Sequence, residues 1–189
     1  MTLSEKLKQE TKTEHQLLEK AMIPLLRNAN SVEKYTQILY LFYSFFNQAE
    51  SHLSNLNLSD EEVPFLEKRR KSEWILRELA SLKQSPPPTI ISSAEGFPEI
   101  KTISEAFGLL YVLEGSTLGG QHIVKMLQQT VPASNHQFLF FNGYGSDTML
   151  MWTSFVTAMN SLSLDTEQVV HKAAEVFRAF HRYTVSASL

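Results

Sequence analysis

The sequence contains no cysteine. Disulfides, thiolate metal centres and cysteine nucleophiles are therefore excluded. It also lacks a dominant charge: 17 Lys and Arg against 20 Asp and Glu leave a net −3, with histidine counted neutral. That balance gives no bulk attraction to nucleic acid or to an anionic membrane surface. No apolar run approaches the roughly 18 residues that a membrane-spanning helix needs. The N-terminal stretch MTLSEKLKQETK is polar and charged, unlike a signal peptide. These absences point to a cytoplasmic protein with neither nucleic acid nor membrane as partner. There is no GxSxG, GxGxxG or Walker pattern, and the lack of an ExxH pattern argues against a carboxylate-bridged di-iron bundle.

What remains suits a helical domain. At 189 residues the chain reads as one domain over 1–189, able to bury roughly 70% of its unfolded surface. Helical periodicity runs through residues 4–27, with Pro24 as a bend or an end. Ser31 is a candidate N-cap for an aromatic helix over 32–54. Ser59 and Glu62 form a capping-box pattern ahead of 62–83. The prolines of QSPPPTIISS (84–93) force an extended connector. Helical pattern returns over 98–129, a loop is expected over 131–146, and amphipathic helices follow over 147–161 and 165–184. FLFF (138–141) is the one stretch with strand character, and it has no obvious partner. His52, His136, His171 and His181 share no ligand spacing and read as structural or exposed. The class is all-α, with six or seven helices.

Two features stand out. On the first helix, Lys8 and Lys12 lie seven and three residues before His15, and Glu19 four after, all on one side. Glu19 can accept a proton from one imidazole nitrogen, which orients the other as a metal ligand and raises its basicity. The lysines can meet an anionic ligand edge. An ordinary exposed helix carries the same spacing, so the pattern alone leaves both readings open.

The second feature is LEGSTLGGQHI (113–123), with Gly115, Gly119 and Gly120 inside a helical pattern. Each glycine costs about 1 kcal/mol relative to alanine in a helix interior. Small residues here admit a bulky object close to the backbone and allow a bend. Close helix–helix packing, or a helix C-cap followed by a new helix, would use glycine equally well.

Together the two segments resemble a known family. LSEKLKQETKTEHQLLE (3–19) is similar to the first helix of haem oxygenases, of the form Leu…Thr-x-x-x-His-x-x-x-Glu. LLYVLEGSTLGGQHI (109–123) is similar to their distal helix with its GxxxGG core. The two motifs stand roughly 100 residues apart, as in that family, and LEGSTLGG looks closest to the bacterial branch that accompanies phytochromes.

The resemblance implies a multi-helical haem oxygenase-like bundle with haem between the first helix and a kinked distal helix. His15 would be the iron ligand, Glu19 its hydrogen-bond partner, and Lys8 and Lys12 the basic residues near the propionates. Gly115, Gly119 and Gly120 would press the distal backbone onto the haem. Reaction would occur beside Gly115, Ser116 and Gly119. The implied chemistry is oxygenation of haem, both substrate and cofactor, by O2 to biliverdin, carbon monoxide and ferrous iron. Electrons would come from ferredoxin or a similar reductase system, and a biliverdin-using photoreceptor is a further implied partner.

Two departures from the family pattern bear on this expectation. Animal members carry an aspartate where this chain has Ser116; a hydroxyl can hold a water but is a poor proton source. They also place basic residues on the penultimate helix, whereas MWTSFVTAMNSL (151–162) has none. Arg178 or Arg182 on the last helix are the candidate substitutes, and Phe177 a candidate packing partner at the haem edge. A haem carrier or sensor on the same scaffold is the alternative function. A thiamin-degrading enzyme of related fold is disfavoured by the missing cysteine.

Overall fold

The architecture follows from where the buried faces fall. A computed structural model describes residues 1–88, 96–132 and 136–187. Nine α-helical segments run along the described chain, with no strand among them: α1 Leu3–Glu10, α2 Lys12–Arg27, α3 Val32–Leu53, α4 Ser72–Ser81, α5 Ile103–Gly115, α6 Gly120–Thr130, α7 Leu139–Asn142, α8 Thr148–Ser161 and α9 Thr166–Ser186. The expected all-α class holds.

The first helix is two pieces. Thr2 and Glu5 cap α1 reciprocally, and the chain turns at Thr11, whose hydroxyl donates to the Leu7 carbonyl at 2.7 Å. Leu18, Met22 and Leu26 then mark one buried face of α2. Pro24 sits inside α2 without ending it; the helix stops at Asn28, where the Asn28 N–H reaches the Pro24 carbonyl at 3.0 Å.

Helix α5 is the central element. Thr102 and Glu105 form its capping box, and Phe107, Leu109, Leu110, Val112 and Leu113 bury more than one face. It packs along α9. Gly108 permits that approach, since a Cβ there would lie 2.5 Å from the Val169 carbonyl oxygen. On its far side α9 carries α1 and α2, while α3 pairs with α4. Phe45 of α3 stacks on Phe180 of α9 with centroids 4.0 Å apart, joining those layers.

Three expectations needed revision. The Ser59–Glu62 pairing is present, with the Ser59 N–H donating to Glu62 at 2.9 Å, but it caps only turns. Pro64 and the left-handed Phe65 (φ 61°) are followed by only a 3-10 turn, Leu66–Lys68, before α4 begins at Ser72. FLFF is no strand: Phe138 (φ 47°) leads into the single helical turn α7. The 98–129 pattern is two helices rather than one. Residues 89–93 of the expected proline connector lie outside the described residues.

Candidate functional site

Helices α1, α2 and α9 assemble the first half of the site. His15 stands on α2 with its side chain 52% exposed and Nε2 3.6 Å from a Glu19 carboxylate oxygen. Its ring meets Phe177 of α9 edge-on, centroids 5.4 Å apart. Phe177 is buried, so it forms a fixed wall beside the imidazole. Lys8 and Lys12 are exposed, free to meet an acidic group.

Arg178 does not have that freedom. Its guanidinium donates to Glu14 of α2 at 3.1 Å, so it ties α9 to the helix bearing His15. Arg182 is engaged as well. The C-terminal helix therefore supplies the aromatic wall but no idle cation.

The second half is the join between α5 and α6. Residues 116–119 are held by short-range bonds: Thr117 N–H to Glu114 O at 3.0 Å, Leu118 N–H to Gly115 O at 3.1 Å and Gly120 N–H to Thr117 O at 3.1 Å. The helix tightens here. None of the three glycines has positive φ, so a left-handed C-cap is not the reason for them.

Their surroundings separate them. A Cβ on Gly120 would overlap the Phe141 carbonyl oxygen of α7. Internal packing alone thus accounts for a glycine at Gly120, whose Cβ direction faces α7. A Cβ on Gly115 would meet only the Trp152 ring at 3.7 Å, an ordinary contact, and one on Gly119 would meet nothing within 4 Å. Neither backbone conformation nor packing within the chain explains Gly115 and Gly119. Helix α2, which bears His15, packs against α6, the helix that follows these glycines.

Behind the join lies a polar network that the sequence did not reveal. Arg69 donates to Glu114 of α5 at 2.6 Å and to the Pro64 carbonyl at 2.7 Å. Tyr144 donates to Glu114 at 3.1 Å and accepts from the Arg70 N–H at 2.8 Å. The Arg70 side chain donates to the Phe140 carbonyl at 3.3 Å, to the Leu113 carbonyl at 3.2 Å and to Ser116 Oγ. Its guanidinium lies over the rings of Phe140 and Phe46, 4.3 and 5.0 Å from their centroids. Burial raises the Glu114 carboxyl above its ordinary value, with Arg69 opposing. Burial pulls Arg70 down to about 10, so it remains charged at neutral pH. Nothing in the sequence KRRK (68–71) signals that its two arginines are buried.

Two of the remaining histidines are engaged elsewhere. His136 pairs with the buried Glu78 at 2.8 Å, and His52 stacks on Phe97. Among the described residues no three His, Cys, Asp or Glu side chains cluster as a metal site, and no described helix is long and apolar enough to cross a membrane.

The family model for heme oxygenase matches residues 1–186. The chain belongs to the haem oxygenase family. Haem degradation is the activity which that membership carries. Solved structures agree in fold. The NO- and CO-bound haem oxygenase of Neisseria meningitidis is 20% identical, with TM-score 0.77, over 99% of this chain and 92% of that one. Haem oxygenase from Leptospira interrogans is 17% identical, with TM-score 0.76, over 98% and 100%. Haem oxygenase-1 from the cyanobacterium Synechocystis sp. PCC6803, in complex with haem, is 18% identical, with TM-score 0.76, over 100% and 93%. A comparison with curated proteins finds no match.

Proposed function

We propose that haem lies between the His15 face of α2 and the open backbone at Gly115 and Gly119, and that the chain converts it to biliverdin, carbon monoxide and ferrous iron. One observation carries this reading: among the described residues neither backbone conformation nor packing requires glycine at Gly115 and Gly119, and the join they form runs into α6, which packs on the histidine-bearing helix. The residues suit haem. His15 presents an accessible imidazole against the Phe177 wall, with a carboxylate beside it. Lys8 and Lys12 are available for the propionates. A single neutral imidazole suits oxygen binding, without the push that a thiolate gives.

Haem supplies the iron that binds O2 and the ring that is oxidised. This chain's residues hold and orient it. Phe177 restrains the imidazole, Glu19 holds its proton, and the backbone at Gly115 and Gly119 sets how closely the distal face approaches. Ser116 holds an ordered water at the edge of that face. Electrons arrive from ferredoxin or a similar reductase system in the cytoplasm, and a biliverdin-using photoreceptor is a fitting acceptor of the product.

Hemin titration tests the reading. The protein should give the Soret band of a histidine-ligated haem. Reductant under air should then bleach it as red absorption grows. His15→Ala should lose that ligation while keeping the fold, because the side chain is half exposed. An unchanged spectrum in the variant would remove His15 from the site.

A further inference from the structure

We propose that Arg70 is a positioning residue for this reaction: its guanidinium forces the Ser116 hydroxyl into the role of a hydrogen-bond acceptor at the α5–α6 join. The inference rests on the function proposed above and deepens it, by fixing what Ser116 is able to do.

The argument is one of donors and acceptors. A serine hydroxyl has one hydrogen and two lone pairs. The Ser116 hydrogen goes to the Leu113 carbonyl at 2.7 Å. One lone pair receives Arg70. A guanidinium carries five N–H donors and no acceptor, so Ser116 can never turn its hydrogen toward Arg70. Leu113 O is the acceptor it uses within the chain, and that oxygen also takes an Arg70 N–H at 3.2 Å. Ser116 is left with one free lone pair. While its hydrogen stays on Leu113 O, it receives a hydrogen from a water and does not give one.

Arg70 is well placed to enforce this. It is only 6% exposed, clamped by the Phe46 and Phe140 rings and by the Phe140 carbonyl of α7. The same α7 turn closes over Gly120. One buried cation thus ties three groups, Leu113 O, Ser116 Oγ and Phe140 O, into a fixed arrangement. A water at Ser116 must donate to it, and so offers its second hydrogen and its lone pairs to whatever occupies the space beyond. With the Ser116 hydrogen held on Leu113 O, protons consumed at the join come from solvent through that water.

The test contrasts two substitutions. Arg70→Lys keeps a cation with donors only. Arg70→Gln introduces a carbonyl oxygen that can accept the Ser116 hydrogen and release the lock. With hemin, Arg70→Gln should bind within about twofold of wild type but turn over more slowly, a loss confined to kcat. By analogy with groups that orient metal ligands through a hydrogen bond, the loss should be roughly tenfold to a hundredfold. Arg70→Lys should recover most of the rate. Ser116→Ala should match Arg70→Gln, and the double variant should be no slower than either, since both changes remove one function. Hemin binding with wild-type turnover in Arg70→Gln, or multiplying losses in the double variant, overturns the proposal alone. Should Arg70→Gln fail to fold, Ser116→Ala decides: a wild-type rate there overturns it. A wild-type protein that binds no hemin overturns the proposed function and this role together.

Discussion

The α-carbon of Gly120 faces the main-chain carbonyl of Phe141 so closely that no side chain fits between them. Helix α6 is thereby seated on the α7 turn. Gly120→Ala gains helix propensity worth about 1 kcal/mol but must push two backbones apart. Overpacking of this kind costs about 3 kcal/mol, and backbone gives way less readily than a flexible side chain. Gly120→Ala should lower the thermal midpoint clearly. An unchanged midpoint would show that α7 yields freely.

Gly119 should behave in the opposite way. Its backbone is helical (φ −81°, ψ −9°) and the space beyond its Cβ is open. Gly119→Ala should change stability by no more than about 1 kcal/mol. Gly119→Leu should also fold, yet block hemin, because the added side chain occupies the proposed slot. A leucine variant that binds hemin normally would refute the steric account of this glycine.

The contrast between the two glycines shows what the sequence could and could not convey. The helices over 32–54 and 165–184 and the serine cap at Ser31 were readable, because propensity and capping are local. The break at 116–119 was readable as a cluster of glycines. Which glycine served which purpose was not, since that depends on Phe141, twenty-one residues after Gly120. Arg69 and Arg70 were hidden for the same reason. A charge run is exposed by default, and only the arrival of Glu114, Tyr144 and two carbonyls from distant segments makes burial of two arginines tolerable. The tie from Arg178 was hidden in the same way, because its partner Glu14 lies at the other end of the chain.

The Arg69–Glu114 pair should prove costly to halve. Both side chains are 4% exposed and the ions are 2.6 Å apart. Removing one partner of a buried pair costs about 3–5 kcal/mol, because it strands the other charge. Glu114→Gln and Arg69→Met should each destabilise on that scale in urea unfolding. The double variant should be less harmed than the two losses added together. Strict additivity would show that the charges do not act as a pair.

Glu50 gives a pH-dependent prediction. Burial raises its carboxyl above the ordinary value of 4.5, although Ser72 donates to it through both N–H and hydroxyl, at 2.5 and 2.7 Å. A carboxyl whose folded-state value is raised favours the fold while it is protonated. That contribution is complete below the unfolded-state value and fades as pH rises through the folded-state value. Glu50→Gln keeps an acceptor for Ser72 and never ionises. Its thermal midpoint relative to wild type should therefore climb between about pH 4 and pH 7. A relative midpoint that falls over this interval would mean that the charged bonds to Ser72 outweigh burial, and that Glu50 holds the start of α4 as a carboxylate.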